Sequence, residues 1–166
     1  MAEGLDLSAS PVLAGLTVAD VDEIERVATI MHYDAGRTIF SEGEVTDAAG
    51  IVLSGRVSLR TTLGSEQIDV AEAGPGDLIG WSGLVPPHRF SATAVAGEAA
   101  TVALLKTEDL ARLSEEDQYL GRILMRNVAS LISERLREAH KNSAALVQQL
   151  RSYVPSGKAM SSRAPD

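Results

Sequence analysis

Residues 74–96 read GPGDLIGWSGLVPPHRFSATAVA, which is the most informative stretch of the sequence. It opens on two glycines around a proline, which favours a tight turn because glycine reaches positive φ at little cost and proline fixes its own φ. It ends at residues 90–96, which alternate between two faces as a strand does. Between these ends, residues 80–84 have the length of one helical turn, whose unpaired backbone N–H groups favour an anion. The stretch therefore predicts a loop that receives a ligand.

The chain around this loop breaks into short runs separated by glycine or polar turns, at the spacing of a β-barrel or sandwich. The predicted strands are residues 38–41, 49–53, 56–62, 67–71, 78–79, 90–96 and 100–105. Alternation is regular in the third of these, where Arg56 and Arg60 face solvent, away from Val57 and Leu59. The sequence predicts a mainly β fold, a jelly-roll β-barrel with flanking helices.

Four segments are predicted along the chain. They are a flexible N-terminal arm at 1–11, the barrel with its N-terminal helix at 12–116, a long C-terminal helix at 117–153 and a disordered tail at 154–166. The tail is rich in serine, alanine and charge, whereas the long helix runs without a proline.

Three positions predict helix starts. Apolar residues recur at helical spacing from Leu13 onward, with Thr17 as a cap three residues before Asp20. Thr107 is followed by two acidic residues, and Ser114 precedes an acidic residue by three positions. These signals predict one helix before the barrel and two after it.

The long C-terminal helix carries two apolar stripes. One is a heptad seam with alternate steps of four and three residues, with Ser143 as its polar position and Met125, Ala129, Ile132, Leu136, Ala139, Leu146, Leu150 and Tyr153 as its other members. The other lies near the helix start and consists of Leu120, Ile123, Leu124, Val128 and Leu131. Two apolar surfaces need two partners, so we assign the early stripe to the barrel and the seam to a twin helix in a parallel homodimer. The alternatives are a helix folded back on its own barrel or one that frays after Lys141.

The turn, short helix and small-residue strand in this order resemble the phosphate-binding cassette of the cyclic nucleotide-binding domain. This domain occurs in catabolite activator-type regulators and in kinase regulatory subunits. The matching positions are Ala35, Gly36, Ile39, Phe40, Glu42 and Gly43, residues 51–55 with Val57, and Gly74, Gly76, Asp77 and Gly80. The resemblance covers most of the chain and implies a C-terminal helix that begins beside the ligand pocket.

The resemblance places a ligand site at the cassette residues Gly80, Trp81, Ser82, Gly83, Leu84, Arg89, Phe90, Ser91 and Ala92. Without a gap, Trp81 stands where the family's glutamate accepts hydrogen bonds from the ribose 2′-hydroxyl. Phe90 stands where the family's arginine neutralises the cyclic phosphate. Apolar rings do neither, and an unpaired phosphate charge is unfavourable to bury. The resemblance therefore implies weak or no binding of cyclic AMP.

Two features leave a different interpretation of the cassette open. Arg89 lies one position before Phe90, and a slip in register at the preceding proline pair turns it to the ligand face, whereas without a slip it is a solvated arginine. Ser91 keeps the family's small hydroxyl position, and Ser82 with Gly83 keeps the amides at the helix start. These residues predict a site for a polar or anionic ligand as the alternative.

The sequence contains no catalytic or metal-binding pattern. It has no cysteine, its histidines at positions 32, 88 and 140 are scattered, and it lacks a nucleophile elbow and a phosphate-gripping Gly-Lys-Ser/Thr motif. We therefore expect no enzyme, no metal site and no resident cofactor. A cyclic nucleotide or another small anionic ligand is the one class of bound molecule that the cassette leaves open.

The net charge of −8 at pH 7 is spread unevenly. Residues 1–120 carry 20 acidic and 7 basic side chains, whereas 121–166 carry 3 acidic and 8 basic ones. The acidic barrel repels nucleic acid, and the residues after Tyr153 are too few for a helix-turn-helix, so no specific DNA binding is expected. No apolar run or basic leader indicates a membrane partner or export, which predicts a cytoplasmic protein.

Three functional hypotheses follow. The first is a regulatory small-molecule sensor that has left cyclic nucleotides for another ligand or for none. The second is a genuine sensor of cyclic AMP or cyclic GMP that uses Arg89 and the amides of residues 80–84. The third is an assembly protein that uses the fold and the seam to meet a protein partner.

Overall fold

Eight strands in two antiparallel sheets build the barrel in a computed structural model, which describes residues 6–153. The strands are β1 (Thr29–Tyr33), β2 (Thr38–Phe40), β3 (Ala48–Ser54), β4 (Val57–Leu63), β5 (Glu66–Ala73), β6 (Leu78–Ile79), β7 (Thr93–Ala96) and β8 (Ala100–Lys106). One sheet has the order β1-β8-β3-β6 and the other β2-β7-β4-β5. Most neighbours are therefore distant in sequence, as in a jelly roll. The predicted fold class is confirmed.

Small and medium-sized apolar side chains fill the interior between the sheets. The buried members of this cluster are Phe40, Val52, Val57, Ala73, Ile79, Ala94, Ala96, Ala100 and Val102. Successive strand residues face opposite sides of a sheet, so the neighbours of these residues in β6 and β8 face away from the interior. Ile79 belongs to the cluster, whereas Leu78 and Leu105 lie against the helices on the other side of the sheet. The first sheet thus has an interior face and a helix-side face.

Two strands differ from the prediction. β1 is missed because its first four residues are exposed and show no alternation, and its pairing with β8 is what forms it. β7 begins at Thr93 rather than at residue 90, because the Phe90 backbone is paired with the loop after β2. The Phe90 N–H donates to Glu44 O at 3.0 Å, and the Gly43 N–H donates to Phe90 O at 2.8 Å. The other predicted strands are found within two residues of their predicted ends.

The arginines of β4 and the turn before it lie outside the barrel, as predicted. Arg56 Nη1 is 2.6 Å from Glu72 Oε1, and Arg60 Nε is 2.7 Å from Asp69 Oδ1. Such exposed pairs contribute little to stability.

The helix before the barrel, α1 (Val18–Val27), starts at its predicted cap. Thr17 Oγ1 accepts from the Asp20 N–H at 3.2 Å, and Asp20 Oδ2 accepts from the Thr17 N–H at 2.8 Å. The apolar residues before this cap belong to a separate 3₁₀ turn, Pro11–Leu13, rather than to the helix. The helical periodicity from Leu13 onward therefore overestimates the helix by one turn, since the capping box sets its start.

Two helices follow the barrel, α2 (Thr107–Glu116) and α3 (Gln118–Tyr153). The first starts at the predicted residue. The start predicted at Ser114 is wrong, because its hydroxyl donates to Leu110 O at 2.7 Å inside α2. Asp117 starts α3 instead, since its Oδ1 accepts from the N–H groups of Tyr119 and Leu120 at 2.8 and 3.1 Å.

The N-terminal segment is packed from Leu7 onward, which corrects the predicted flexible arm at 1–11. Leu7 is 1% exposed, and its N–H donates to Glu25 Oε1 at 2.7 Å. The hydroxyl of Ser10 donates to Gly76 O at 2.7 Å. Burial of the leucine and these two long-range hydrogen bonds hold the segment. Residues 1–5 lie outside the described residues.

The chain divides into two compact units between Ala129 and Ser130. Four members of the predicted early stripe of α3 are buried in the first unit, namely Leu120, Ile123, Leu124 and Val128. The fifth, Leu131, lies in the second unit and is half-buried. Of the predicted seam, Met125, Leu136, Leu146 and Leu150 are 51%, 55%, 58% and 58% exposed, Ala129 and Ala139 are also exposed, and Ile132 is half-buried. The helix is continuous across Lys141, whereas the tail predicted at 154–166 lies outside the described residues.

We expect two glycine-to-alanine substitutions in tight turns to differ strongly in cost. Gly55 and Gly64 both have positive φ, 79° and 64°. A Cβ at Gly55 would lie 2.2 Å from Ala99 O, whereas one at Gly64 meets nothing within 4 Å. Gly64→Ala is expected to lower the free energy of unfolding by about 1 to 2 kcal/mol for the left-handed backbone alone. Gly55→Ala is expected to cost at least about 2 kcal/mol more through overpacking. Urea denaturation measures both, and equal losses would contradict the close approach.

Candidate functional site

The predicted helical turn after Gly80 is a 3₁₀ turn, Trp81–Leu84. Gly80 precedes it with a left-handed φ of 68°, and the Gly83 N–H donates to Gly80 O at 2.9 Å. A Cβ at Gly83 would lie 2.6 Å from Thr46 Cγ2, so the turn packs closely against the strand that follows Thr46. The turn is where the sequence predicts it. However, the N–H of Gly83 serves the turn itself and does not point to a ligand.

The aromatic ring of Phe90 fills the space beside Gly80. It stacks on Phe40 with ring centroids 3.8 Å apart and an angle of 14° between the planes. A Cβ on Gly80 would lie 2.8 Å from Phe90 Cε1 and 3.3 Å from Phe40 Cε1. The ring of Phe90 also packs against the interior cluster of the barrel. Phe90, which the sequence analysis aligns with the family's phosphate-neutralising arginine, is therefore a half-buried ring stacked on the buried ring of Phe40.

Arg89 lies at the surface beside this pair. Its side chain is exposed, and its Nη1 donates to Gly43 O at 2.8 Å. Its backbone forms an isolated antiparallel bridge with Val45. The guanidinium is thus held on the loop after β2 while the next side chain, Phe90, enters the interior.

The remaining cassette residues lie around the turn. The Ser91 N–H donates to Ser82 Oγ at 3.1 Å, which joins the turn to the segment before β7. Trp81, Leu84 and Ala92 are half-buried. His88, which the sequence analysis leaves without a role, contacts the same turn through Nδ1, 2.7 Å from Gly83 O. The structure therefore brings the cassette together as one hydrogen-bonded loop.

Glu42 ties the loop after β2 to the second sheet. Its carboxylate accepts from the Thr62 N–H at 2.8 Å and from the Thr61 hydroxyl at 3.1 Å. The backbone hydrogen bond from Thr62 lowers the pKa of the Glu42 carboxyl below its usual value of 4.5, and the Thr61 hydroxyl adds to the effect. The Glu42 N–H also donates to Thr93 Oγ1 at 2.9 Å. Glu42 matches the family by sequence, but only the structure identifies these partners.

A cavity of about 240 Å³ opens at the end of the barrel beside the aromatic pair, and we call it the barrel-mouth cavity. Its lining includes Tyr33, Phe40, Phe90 and Leu104, with Glu44 as the charged residue. Burial raises the pKa of the Tyr33 hydroxyl above its usual value of 10.0. No lysine or arginine lines this cavity, so it offers no cation to neutralise a phosphate.

Within residues 6–153, no group of three or more His, Asp or Glu side chains lies close enough to hold a metal ion. His32 is exposed, with Nδ1 3.0 Å from Thr101 Oγ1. None of the described helices has the length and apolar character needed to span a bilayer.

One protein-family model and several known proteins match this chain. The sequence model of the family described as cyclic nucleotide-binding domain matches residues 30–117, more than half of the chain. The chain is similar to a cyclic AMP receptor protein of Thermus thermophilus, with 34% identity over 134 residues. It is also similar to Glutaminase 1 of Bradyrhizobium diazoefficiens, with 30% identity over 134 residues. The crystal structure of the Thermus thermophilus catabolite activator protein superimposes with a TM-score of 0.72 at 33% identity.

These similarities cover much of this chain but only part of the relatives. The matches include 80%, 81% and 83% of this chain, respectively. They include 60% of the receptor protein, 21% of the glutaminase and 63% of the activator protein in the crystal structure. The chain thus spans less than two thirds of each of these relatives.

The lowered pKa of Glu42 predicts an acid-dependent loss of stability. A carboxyl with a depressed folded-state pKa stabilises the fold above its unfolded pKa, and this contribution is lost as pH falls through the folded value. Glu42→Gln is therefore expected to flatten the stability profile below about pH 4.5. Urea denaturation across pH 3 to 7 measures it, with Glu66→Gln, an exposed carboxylate of β5, as the matched control. An equal effect of both substitutions would contradict a specific role for Glu42.

Proposed function

The chain belongs to the cyclic nucleotide-binding domain family, and we propose that it is a regulatory module of this family that binds cyclic AMP weakly or not at all. In this proposal it senses another small molecule, or acts through a protein partner, without a resident cofactor. It catalyses no reaction of its own.

The stack of Phe90 on Phe40 is the observation that carries this proposal. By resemblance, a cyclic nucleotide phosphate would have to be neutralised from position 90, where the chain has an apolar ring packed into the interior. Trp81 likewise replaces the carboxylate that would accept from the ribose. Each lost charge-assisted hydrogen bond removes about 1.5 to 3 kcal/mol of binding. Two or more such losses bring a micromolar affinity into the millimolar range.

A genuine cyclic nucleotide sensor is the second candidate. It is favoured by the 34% identity to a protein named cyclic AMP receptor protein. In this case Arg89 would have to leave the Gly43 carbonyl, to which it donates at 2.8 Å, and reach the ligand. This movement would exchange one hydrogen bond of Arg89 for another, and titration with cyclic nucleotides distinguishes the two candidates.

We further propose that the chain forms a parallel homodimer along the seam of α3. The exposed leucines at positions 136, 146 and 150 are each more than half accessible, and they recur at heptad spacing. A stripe of large apolar side chains on a surface marks an interaction site. A repeat of seven keeps the stripe facing a twin helix, whereas contact with a single barrel drifts at 3.6 residues per turn. An assembly role for the protein rests on the same surface.

Cyclic AMP and cyclic GMP are expected to bind with millimolar dissociation constants or without detectable heat in isothermal titration calorimetry. Saturable binding in the low micromolar range would contradict the proposal. In that event Arg89→Ala identifies the cause, because loss of binding in this variant assigns the phosphate contact to Arg89.

A gain-of-function variant tests whether the missing charged side chains limit the binding of cyclic AMP. Trp81→Glu combined with Phe90→Arg restores the two side-chain types that the family uses, and we expect cyclic AMP to bind at least tenfold more tightly than to the wild type. Trp81→Gln combined with Phe90→Leu is the matched control, since it removes both rings without adding charge. Circular dichroism verifies that both variants are folded. Equal binding by the two would count against the missing charges as the cause.

Charged substitutions in the seam are expected to give a folded monomer. Ile132→Glu combined with Leu136→Glu removes apolar burial from the helix pair, at about 2 kcal/mol or more for each side chain. Light scattering coupled to size exclusion at tens of micromolar measures the mass. Ser130→Glu combined with Gln148→Glu adds the same charge off the seam and is expected to remain dimeric. A monomeric wild type, or a dimeric seam variant, would remove the seam from the proposal.

A further inference from the structure

The barrel-mouth cavity is the place where part of the barrel core stays accessible to a small molecule. Several partly buried side chains that pack against the interior cluster line this cavity, namely Tyr33, Ile39, Phe90 and Leu104. The buried ring of Phe40 completes the apolar wall. Because three of these side chains are aromatic, the wall offers ring faces as well as apolar area to a ligand.

Glu44 is the charged residue in this lining, and its side chain is exposed. Its Oε2 accepts from the Ser41 N–H at 2.9 Å, and the carboxylate has no second hydrogen bond within residues 6–153. A carboxylate has acceptor sites on both of its oxygens. One oxygen is therefore held by the backbone while the other is free to accept from a ligand.

The nearby Arg89 does not neutralise this carboxylate. Its Nη1 donates to Gly43 O at 2.8 Å, and its side chain is not part of the cavity lining. Within residues 6–153, neither Arg89 nor Glu44 forms an ion pair. The cavity mouth therefore carries an uncompensated negative charge beside its aromatic wall.

Backbone pairing fixes the carboxylate relative to the aromatic wall. The Phe90 N–H donates to Glu44 O at 3.0 Å, and the Gly43 N–H donates to Phe90 O at 2.8 Å. The next residues of the two segments, Val45 and Arg89, form an antiparallel bridge. The charge and one of the rings thus come from paired segments, and a preorganised site loses less entropy when a ligand binds.

From this arrangement we propose that the barrel-mouth cavity binds a small organic cation, a primary ammonium on an aromatic body, whose N–H groups donate to the carboxylate of Glu44. The inference rests on the proposed function, because it names the class of small molecule that the module senses. A carboxylate and the faces of aromatic rings both attract a cation. The same carboxylate repels an anion, so this ligand has the opposite charge to a cyclic nucleotide.

The volume of the cavity limits the size of the ligand. An apolar cavity of about 150 Å³ accommodates benzene, and the barrel-mouth cavity measures about 240 Å³. One aromatic ring with an arm of two or three atoms therefore fits. A ligand of this kind has about nine or ten non-hydrogen atoms.

Three compounds of similar shape and different charge test the site. At pH 7 phenethylamine is a cation, phenethyl alcohol is neutral and hydrocinnamate is an anion. Each is titrated into the full chain labelled at its methyl groups and followed by NMR. We expect phenethylamine to shift Ile39, Val45 and Leu104 saturably, with Leu105 and Val128 on the helix-side face unaffected. It is expected to bind about tenfold more tightly than phenethyl alcohol, and hydrocinnamate is expected not to saturate.

Two amide substitutions separate the charge of Glu44 from the general acidity of the barrel. Glu44→Gln keeps an oxygen for the Ser41 N–H but removes the charge, so we expect phenethylamine to bind about tenfold more weakly and phenethyl alcohol to bind as before. Asp47→Asn is the matched control, since it removes one charge from an exposed residue of the same loop outside the lining. It is expected to change the affinity for phenethylamine by less than about twofold. Circular dichroism verifies that both variants are folded.

Four results would overturn this inference. They are the absence of saturable phenethylamine binding in the millimolar range, shifts on the helix-side face instead of at the cavity mouth, equal affinities for phenethylamine and phenethyl alcohol, and an equal effect of the two amide substitutions. Failure of the proposed function is read separately, because it requires low-micromolar binding of cyclic AMP in calorimetry. An amine that does not bind, together with a millimolar cyclic AMP, would contradict the cation site alone.

Discussion

The stack of Phe40 on Phe90 is the contact that organises the cassette side of the barrel. With the ring centroids 3.8 Å apart and a Phe90 carbon 2.8 Å from where a Cβ of residue 80 would lie, that residue has to be glycine. The left-handed φ of Gly80 then turns the chain into the 3₁₀ segment Trp81–Leu84. The backbone of Phe90 pairs with residues 43 and 44, which delays the start of β7 to Thr93. One aromatic pair thus sets the turn, the strand boundary and the apolar character of the site.

The two faces of the first sheet border two cavities that differ in the charge of their lining residues. The interior face ends at a mouth where Glu44 is the charged lining residue, and the helix-side face encloses a space with none. Neither cavity contains a lysine or arginine, and Arg89 is held at the surface by the Gly43 carbonyl. A phosphate has no partner in either place, whereas neutral molecules incur no such electrostatic cost. The distribution of charge therefore supports the proposal that the chain binds cyclic AMP weakly or not at all.

The helix α3 carries its two apolar stripes in different environments. Leu120 and Leu124 are buried within the first unit, whereas Leu136, Leu146 and Leu150 of the second unit are more than half exposed. Burial of the first stripe stabilises the fold of the unit itself. The second stripe leaves apolar area exposed to water. Burial of this area against a twin helix would stabilise a dimer by about 25 cal/mol for each Å² buried. Folding of the first unit and the proposed dimerisation thus depend on separate segments of one helix.

Features that arise from contacts between neighbours in the chain can be predicted from the sequence alone. Glycine and proline turns with alternating runs predict seven of the strands, Thr17 with Asp20 predicts the start of α1, and the heptad steps predict a continuous long helix. Features that depend on distant partners emerge only when the chain is folded. β1 shows no alternation and exists through its pairing with β8, Leu7 is buried although its segment has no periodicity, and Arg89 and Phe90 are sorted to opposite environments by the loop after β2.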